Sequence, residues 1–168
     1  MILYFDQRIS TWTSQFDILQ DSGEFYCRVQ GKLSAAAKFL VLDAYGSQLG
    51  SAEEKVLSAP PLFSLKHGMR EAATIRKKGL FKPSYEMNNG WTIQGDIGQW
   101  DWTILTRDGS EAARMERKRI NGTMRYTITT AEEINPLTVI LTILAVDTQR
   151  CSHGTIRRTI RKRKENIG

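Results

Sequence analysis

The side chains able to do chemistry are few and scattered. There are two histidines. His67 sits in a glycine turn and His153 sits beside Gly154. Neither has a cysteine or carboxylate at ligand spacing, so both read as solvated turn residues rather than metal ligands. Asp96 and Asp101 bracket Ile97-Gly98-Gln99-Trp100. A general acid and base could be paired that way, but hairpin ends commonly carry Asp for turn geometry. No glycine-rich phosphate loop enters a helix, and there is no nucleophile elbow or dinucleotide fingerprint. The sequence therefore predicts no catalytic residue, no metal and no cofactor. Of the four tryptophans, Trp100 and Trp102 fall on one side of a regular strand, with Asp101 on the other. Core packing is the first reading of that pair, and a ligand-stacking face is the second.

Charge is the sharper signal. From Arg150 onward stand seven basic residues, Arg150, Arg157, Arg158, Arg161, Lys162, Arg163 and Lys164, against Glu165 alone. The whole chain holds 24 basic and 18 acidic residues. Subtraction leaves 17 of each before Arg150, a neutral body carrying a +6 end. Ile156 and Ile160 lie one helical turn apart, with cations around most of the remaining surface. Such a tail can be solvated and free, or it can dock on anionic lipid, where each Lys or Arg contributes roughly 1 kcal/mol. It can also neutralise nucleic-acid phosphates. The tail has no aromatic residue for base stacking, which weakens that last reading. Arg157, Arg158, Arg161, Lys162, Arg163 and Lys164 are the expected anion-binding residues.

The elements that carry these residues are mostly strands. Short runs alternate apolar and polar side chains, as half-buried strands do. Glycine turns at Gly23, Gly46, Gly68, Gly90 and Gly109 recur about every 20 residues. Each unit reads as one β-hairpin, with Asn, Asp or Gly at the positions that need positive φ. An opening strand near Ile2–Phe5 and a closing strand Met124–Thr129 bring the total to about a dozen. Neighbouring hairpins pair in order, and closure removes the exposed edges.

The pattern breaks after Thr130. Asn135 can cap a helix and Pro136 suits its first turn. Leu137 to Val146 is apolar on all sides, the mark of a buried helix. Its seven large side chains (Leu137, Val139, Ile140, Leu141, Ile143, Leu144 and Val146) carry a gross transfer term on the order of 10 to 20 kcal/mol. The run is too short to cross a bilayer. A barrel of about twelve strands has a lumen too wide for its own side chains, and an apolar rod fills it. The expected fold is mainly β, a closed antiparallel barrel around a central apolar C-terminal helix. Residues 1–150 form the barrel, with the helix near 135–149, and 151–168 form a basic tail, flexible or weakly helical.

The run Phe81-Lys82-Pro83-Ser84-Tyr85-Glu86-Met87, then Asn89 to Asp96, then Trp100-Asp101-Trp102-Thr103-Ile104, resembles the LURP-one-related proteins. That family belongs to the tubby C-terminal-like superfamily, which also includes the phospholipid scramblases. The resemblance runs from Tyr4 to about Gln149 and implies a closed barrel of about twelve strands around a central helix. It also implies a link to lipids, since tubby-like domains bind phosphoinositides.

Two cysteines, Cys27 and Cys151, make no disulfide framework, and their scarcity fits a reducing compartment. Cys27 reads as a buried thiol on a strand face shared with Phe25 and Val29. The start of the chain shows no secretory pattern. The expectation is a cytoplasmic, non-enzymatic binding or scaffold domain that meets the inner membrane face through its tail. A nucleic-acid-associated protein is the alternative, and an enzyme or small-ligand carrier is third.

Overall fold

The computed structural model describes residues 1–6, 15–32, 36–55, 57, 58, 60, 62–78 and 84–149. Twelve strands run in chain order: β1 (Ile2–Phe5), β2 (Gln15–Gln20), β3 (Phe25–Lys32), β4 (Lys38–Leu42), β5 (Gln48–Lys55), β6 (Leu62–His67), β7 (Arg70–Lys78), β8 (Ser84–Met87), β9 (Thr92–Asp96), β10 (Asp101–Leu105), β11 (Glu111–Ile120) and β12 (Thr123–Thr130). Each pairs with its neighbour in sequence, and β12 returns to β1, so the sheet is a closed antiparallel barrel. Closure runs through Ile2↔Thr129 to Phe5↔Tyr126, and the terminal amine of Met1 donates to the Thr130 carbonyl at 2.8 Å. Among the described residues one α-helix, α1, spans 136–149.

Alternation along each strand decides what faces the lumen. Phe16 and Ile18, Cys27 and Val29, Phe39 and Val41, Phe63 and Leu65, and Trp102 and Ile104 are all buried. The five predicted turn glycines all adopt positive φ, from 55° at Gly68 to 87° at Gly109. Antiparallel order gathers those five turns at one end of the barrel, the near end. The turns at 97–100 and 121–122 lie at the opposite, far end.

Helix α1 enters from the near end. Asn135 caps it, accepting from the Leu137 amide at 2.9 Å. From Val139 to Gln149 every residue is buried. Small residues on the wall let the helix come close. A Cβ at Gly50 would lie 3.3 Å from Leu141 and 2.5 Å from the Lys66 carbonyl. Thr138 and Thr142 are buried without strain because each finds a partner. The Thr142 hydroxyl donates to the Thr138 carbonyl at 2.8 Å, and the Thr138 hydroxyl meets His67 Nε2 at 3.0 Å. His67 is thus not the solvated turn residue expected from its neighbours. It ends β6, half-buried against the helix, and burial pushes its pKa down.

Candidate functional site

The predicted aromatic pair lies at the far end of the barrel. Asp96 accepts a hydrogen bond from the Gln99 amide at 3.0 Å and caps a short 3-10 turn, Ile97–Gln99. The turn closes at Trp100, whose backbone is left-handed with φ 57° and ψ 42°. A bulky residue rarely adopts that conformation, and it costs roughly 1 to 2 kcal/mol. Here the Trp100 amide donates to Ile97 and the indole swings into the core. Trp100 therefore closes the turn before β10 and does not lie in a regular strand with Trp102, the condition on which the sequence placed the two indoles on one side. The two indoles still meet, edge to face at 6.4 Å between ring centres. Neither offers an outward stacking face, since each is only 2% exposed.

Three rings complete this cluster. Tyr126 lies 4.8 Å from Trp100, Phe5 lies 5.7 Å from it, and Phe16 lies 5.1 Å from Phe5, all between ring centres. The edge-to-face contacts of Trp100 with Tyr126 and with Phe5 add about 0.5 to 1.5 kcal/mol each beyond area burial. The cluster draws on β1, β2, β10 and β12, so it knits the seam where the barrel closes. Sequence reasoning missed Phe5, Phe16 and Tyr126 as partners of Trp100, because their closeness arises only on closure.

The other side chains singled out take structural parts. Asp96 and Asp101 face each other in the β9–β10 register, and Asp96 is engaged as a cap. Cys27 is fully buried, and burial pushes its thiol up to about 12, with the nearby Asp17 charge adding to the rise. A thiol so held is a poor nucleophile. On the outer wall Glu53 accepts from Lys38 at 2.8 Å and from Lys66 at 2.7 Å. Burial raises its pKa, but the two lysines outweigh that and hold it at about 2. Among the described residues, no cluster of three or more His, Cys, Asp and Glu side chains could hold a metal ion. No helix among them is long and apolar enough to cross a membrane. Trp12, Cys151, His153 and the basic residues Arg157, Arg158, Arg161, Lys162, Arg163 and Lys164 lie outside the described residues.

Comparison with known proteins agrees with this architecture. The chain resembles an X-ray structure of a protein from Arabidopsis thaliana, with a TM-score of 0.64. The likeness covers 88% of this chain and 90% of the other, at 13% identity, and so is one of fold. No curated protein matches the sequence. The family model described as LURP-one-related matches residues 1–147, the whole barrel and nearly all of α1. The chain therefore belongs to the LURP-one-related family.

Proposed function

We propose that the protein is a non-enzymatic binding domain at the inner face of the membrane, docked on anionic lipid through its basic C-terminal residues. The observation that carries this reading is the charge division. Residues 150–168 hold +6, and the barrel and helix before them are neutral. A neutral body adds no general attraction to polyanions, so binding depends on one segment. Six cations within Arg157 to Lys164 at roughly 1 kcal/mol each suffice for reversible attachment, though not for permanent anchoring. The barrel wall is braced by its own pairs, among them Arg28–Asp17 at 2.6 Å and Arg125–Asp6 at 2.8 Å, and its lumen is filled by α1. This suits a rigid carrier for a docking segment.

Co-sedimentation of the full chain with vesicles tests the proposal. Vesicles rich in phosphatidylserine should carry the protein down at low salt, and purely phosphatidylcholine vesicles should not. Absence of binding to both sinks the lipid reading. Anisotropy titration with a duplex DNA discriminates the nucleic-acid alternative, since binding through phosphates weakens steeply as salt rises. Tighter binding to DNA than to anionic vesicles at the same salt would favour that alternative.

A further inference from the structure

Exposed apolar side chains gather at the near end of the barrel. Among the described residues seven large ones are exposed, and five of them, Met1, Ile2, Tyr45, Leu49 and Met69, stand at this end. Tyr45 is 95% exposed and Met69 is 91% exposed. Their turns are neighbours, because β5 and β6 pair between them and the Gly68 amide donates to the Leu49 carbonyl at 2.8 Å. Asp43 holds the first turn, accepting from the amides of Tyr45 and Ser47 at 2.9 and 2.8 Å. Tyr45, Leu49 and Met69 are thus presented to solvent by two adjoining turns of fixed shape.

Acidic side chains border these turns. Asp43 shares a turn with Tyr45, and Glu71 follows closely after Met69. Glu132 and Glu133, both exposed, lie on the stretch that crosses the mouth from β12 to the side of β5 and β6, where Leu137 and Thr138 meet Gly50 and His67. Within residues 42–49, 67–71 and 131–137 Arg70 is the only Lys or Arg. Lys66, opposite Glu71 in the register, is engaged by Glu53. Such a face suits an occupant that is both apolar and cationic.

One segment of the chain has that composition. Residues 155–164 set Ile156 and Ile160 four positions apart among Arg157, Arg158, Arg161, Lys162, Arg163 and Lys164. The segment cannot bring both isoleucines back to its own near end. From Thr138, at the rim, to Gln149 the helix runs about 17 Å away from that end. Twelve strands about 4.8 Å apart and tilted about 40° enclose a radius of about 12 Å. A return along the outer wall therefore spans about 29 Å or more. The chain from Gln149 to Ile156 reaches about 25 Å at full extension.

We propose that the near end of one copy receives residues 155–164 of a second copy. Ile156 and Ile160 meet Tyr45, Leu49 and Met69, and the cations meet Asp43, Glu71, Glu132 and Glu133. The contact is head-to-tail, so each pair keeps a free mouth at one end and a free segment at the other and can extend. It rests on the composition of the segment, not on lipid binding, and stands if the docking reading falls. Where both hold, an anionic membrane and a second copy compete for the same cations.

Sedimentation velocity of the full chain, without lipid, tests the contact. Association should grow with protein concentration at about 0.05 M salt and weaken roughly tenfold or more at about 0.5 M, where charges are screened. Two variants each remove one half of the contact. Tyr45→Ser with Met69→Ser changes only side chains exposed on turns, so its melt should match that of the parent. If it does not, Glu132→Gln with Glu133→Gln serves as the mouth variant. Changing Arg161, Lys162, Arg163 and Lys164 to Gln alters the segment alone. Each variant by itself should be monomeric. An equimolar mixture should form one-to-one pairs that grow no further, because one partner keeps the segment and the other keeps the mouth. A parent that stays monomeric at low salt overturns the proposal. So does a variant that associates like the parent, or a mixture that stays monomeric.

Discussion

Glu53 carries the clearest pH signature on the barrel wall. Its carboxylate sits between Lys38 and Lys66, and its pKa falls from 4.5 to about 2. A lowered carboxylate pKa means that the folded state favours the ionised form. The stabilisation is complete above the unfolded value and is lost as pH falls from about 4.5 toward about 2. The shift corresponds to at most about 3 kcal/mol, reduced by screening at a partly exposed site. Glu53→Gln should therefore lower the melting temperature at pH 7 and flatten its dependence on pH between 5 and 2, read by circular dichroism. An unchanged pH profile would mean that the lysine pair does not hold the carboxylate. Gly95 makes a steric prediction. Its φ is 107°, and a Cβ there would lie 2.5 Å from the Asp101 carbonyl and 2.7 Å from Trp102 Cα. Gly95→Ala should cost about 2 kcal/mol or more, a fall of roughly 4 to 8 °C in melting temperature. The glycine was plain in the sequence, but its need was not, since nothing local shows that β10 presses on it.

The central helix is the element on which the barrel depends. Leu141 is fully buried and touches the wall at Gly50. Leu141→Asp would bury a carboxylate without a designed partner, at a cost of several kcal/mol against a net stability of similar size. The variant should fail to fold cooperatively, as a melt will show. Leu141→Met keeps volume and polarity and should cost less than about 1.5 kcal/mol. This element is legible in the sequence. Asn135 caps it, Pro136 opens it, and the unbroken apolar run says that it is surrounded. The strands were equally legible, because Asn, Asp and Gly punctuate them at a steady interval and alternation marks their inner face. The aromatic site was legible only in part. Trp100 and Trp102 could be named from their type and spacing, but the left-handed turn at Trp100 and its meeting with Phe5 and Tyr126 come from tertiary closure. His67 misled for a related reason. Its neighbours are turn residues, and the helix that half-buries it arrives 71 positions later.

At the scale of the whole molecule, stability and charge belong to different parts of the chain, and that separation can be tested by cutting. The described core draws on residues from Leu3 to Val146, and the family match ends at residue 147. Six of the seven cations that make the C-terminal excess lie beyond Gly154. Cations close in sequence repel one another and are strongly hydrated, so they contribute little to a core. Glycine at 154 permits a change of chain direction there. A chain ending at Gly154 should melt within about 2 °C of the parent, the shift expected from less than about 1 kcal/mol in a domain of this size. The same truncation should lose sedimentation with phosphatidylserine vesicles. Neutralising Arg161, Lys162, Arg163 and Lys164 to Gln in the full chain should weaken vesicle binding without moving the melt, which separates charge from chain length. If the truncated protein unfolds instead, the C-terminal residues brace the barrel, and their charges lose the docking role assigned to them. If it folds and still sediments with the vesicles, the lipid-facing surface lies on the barrel wall.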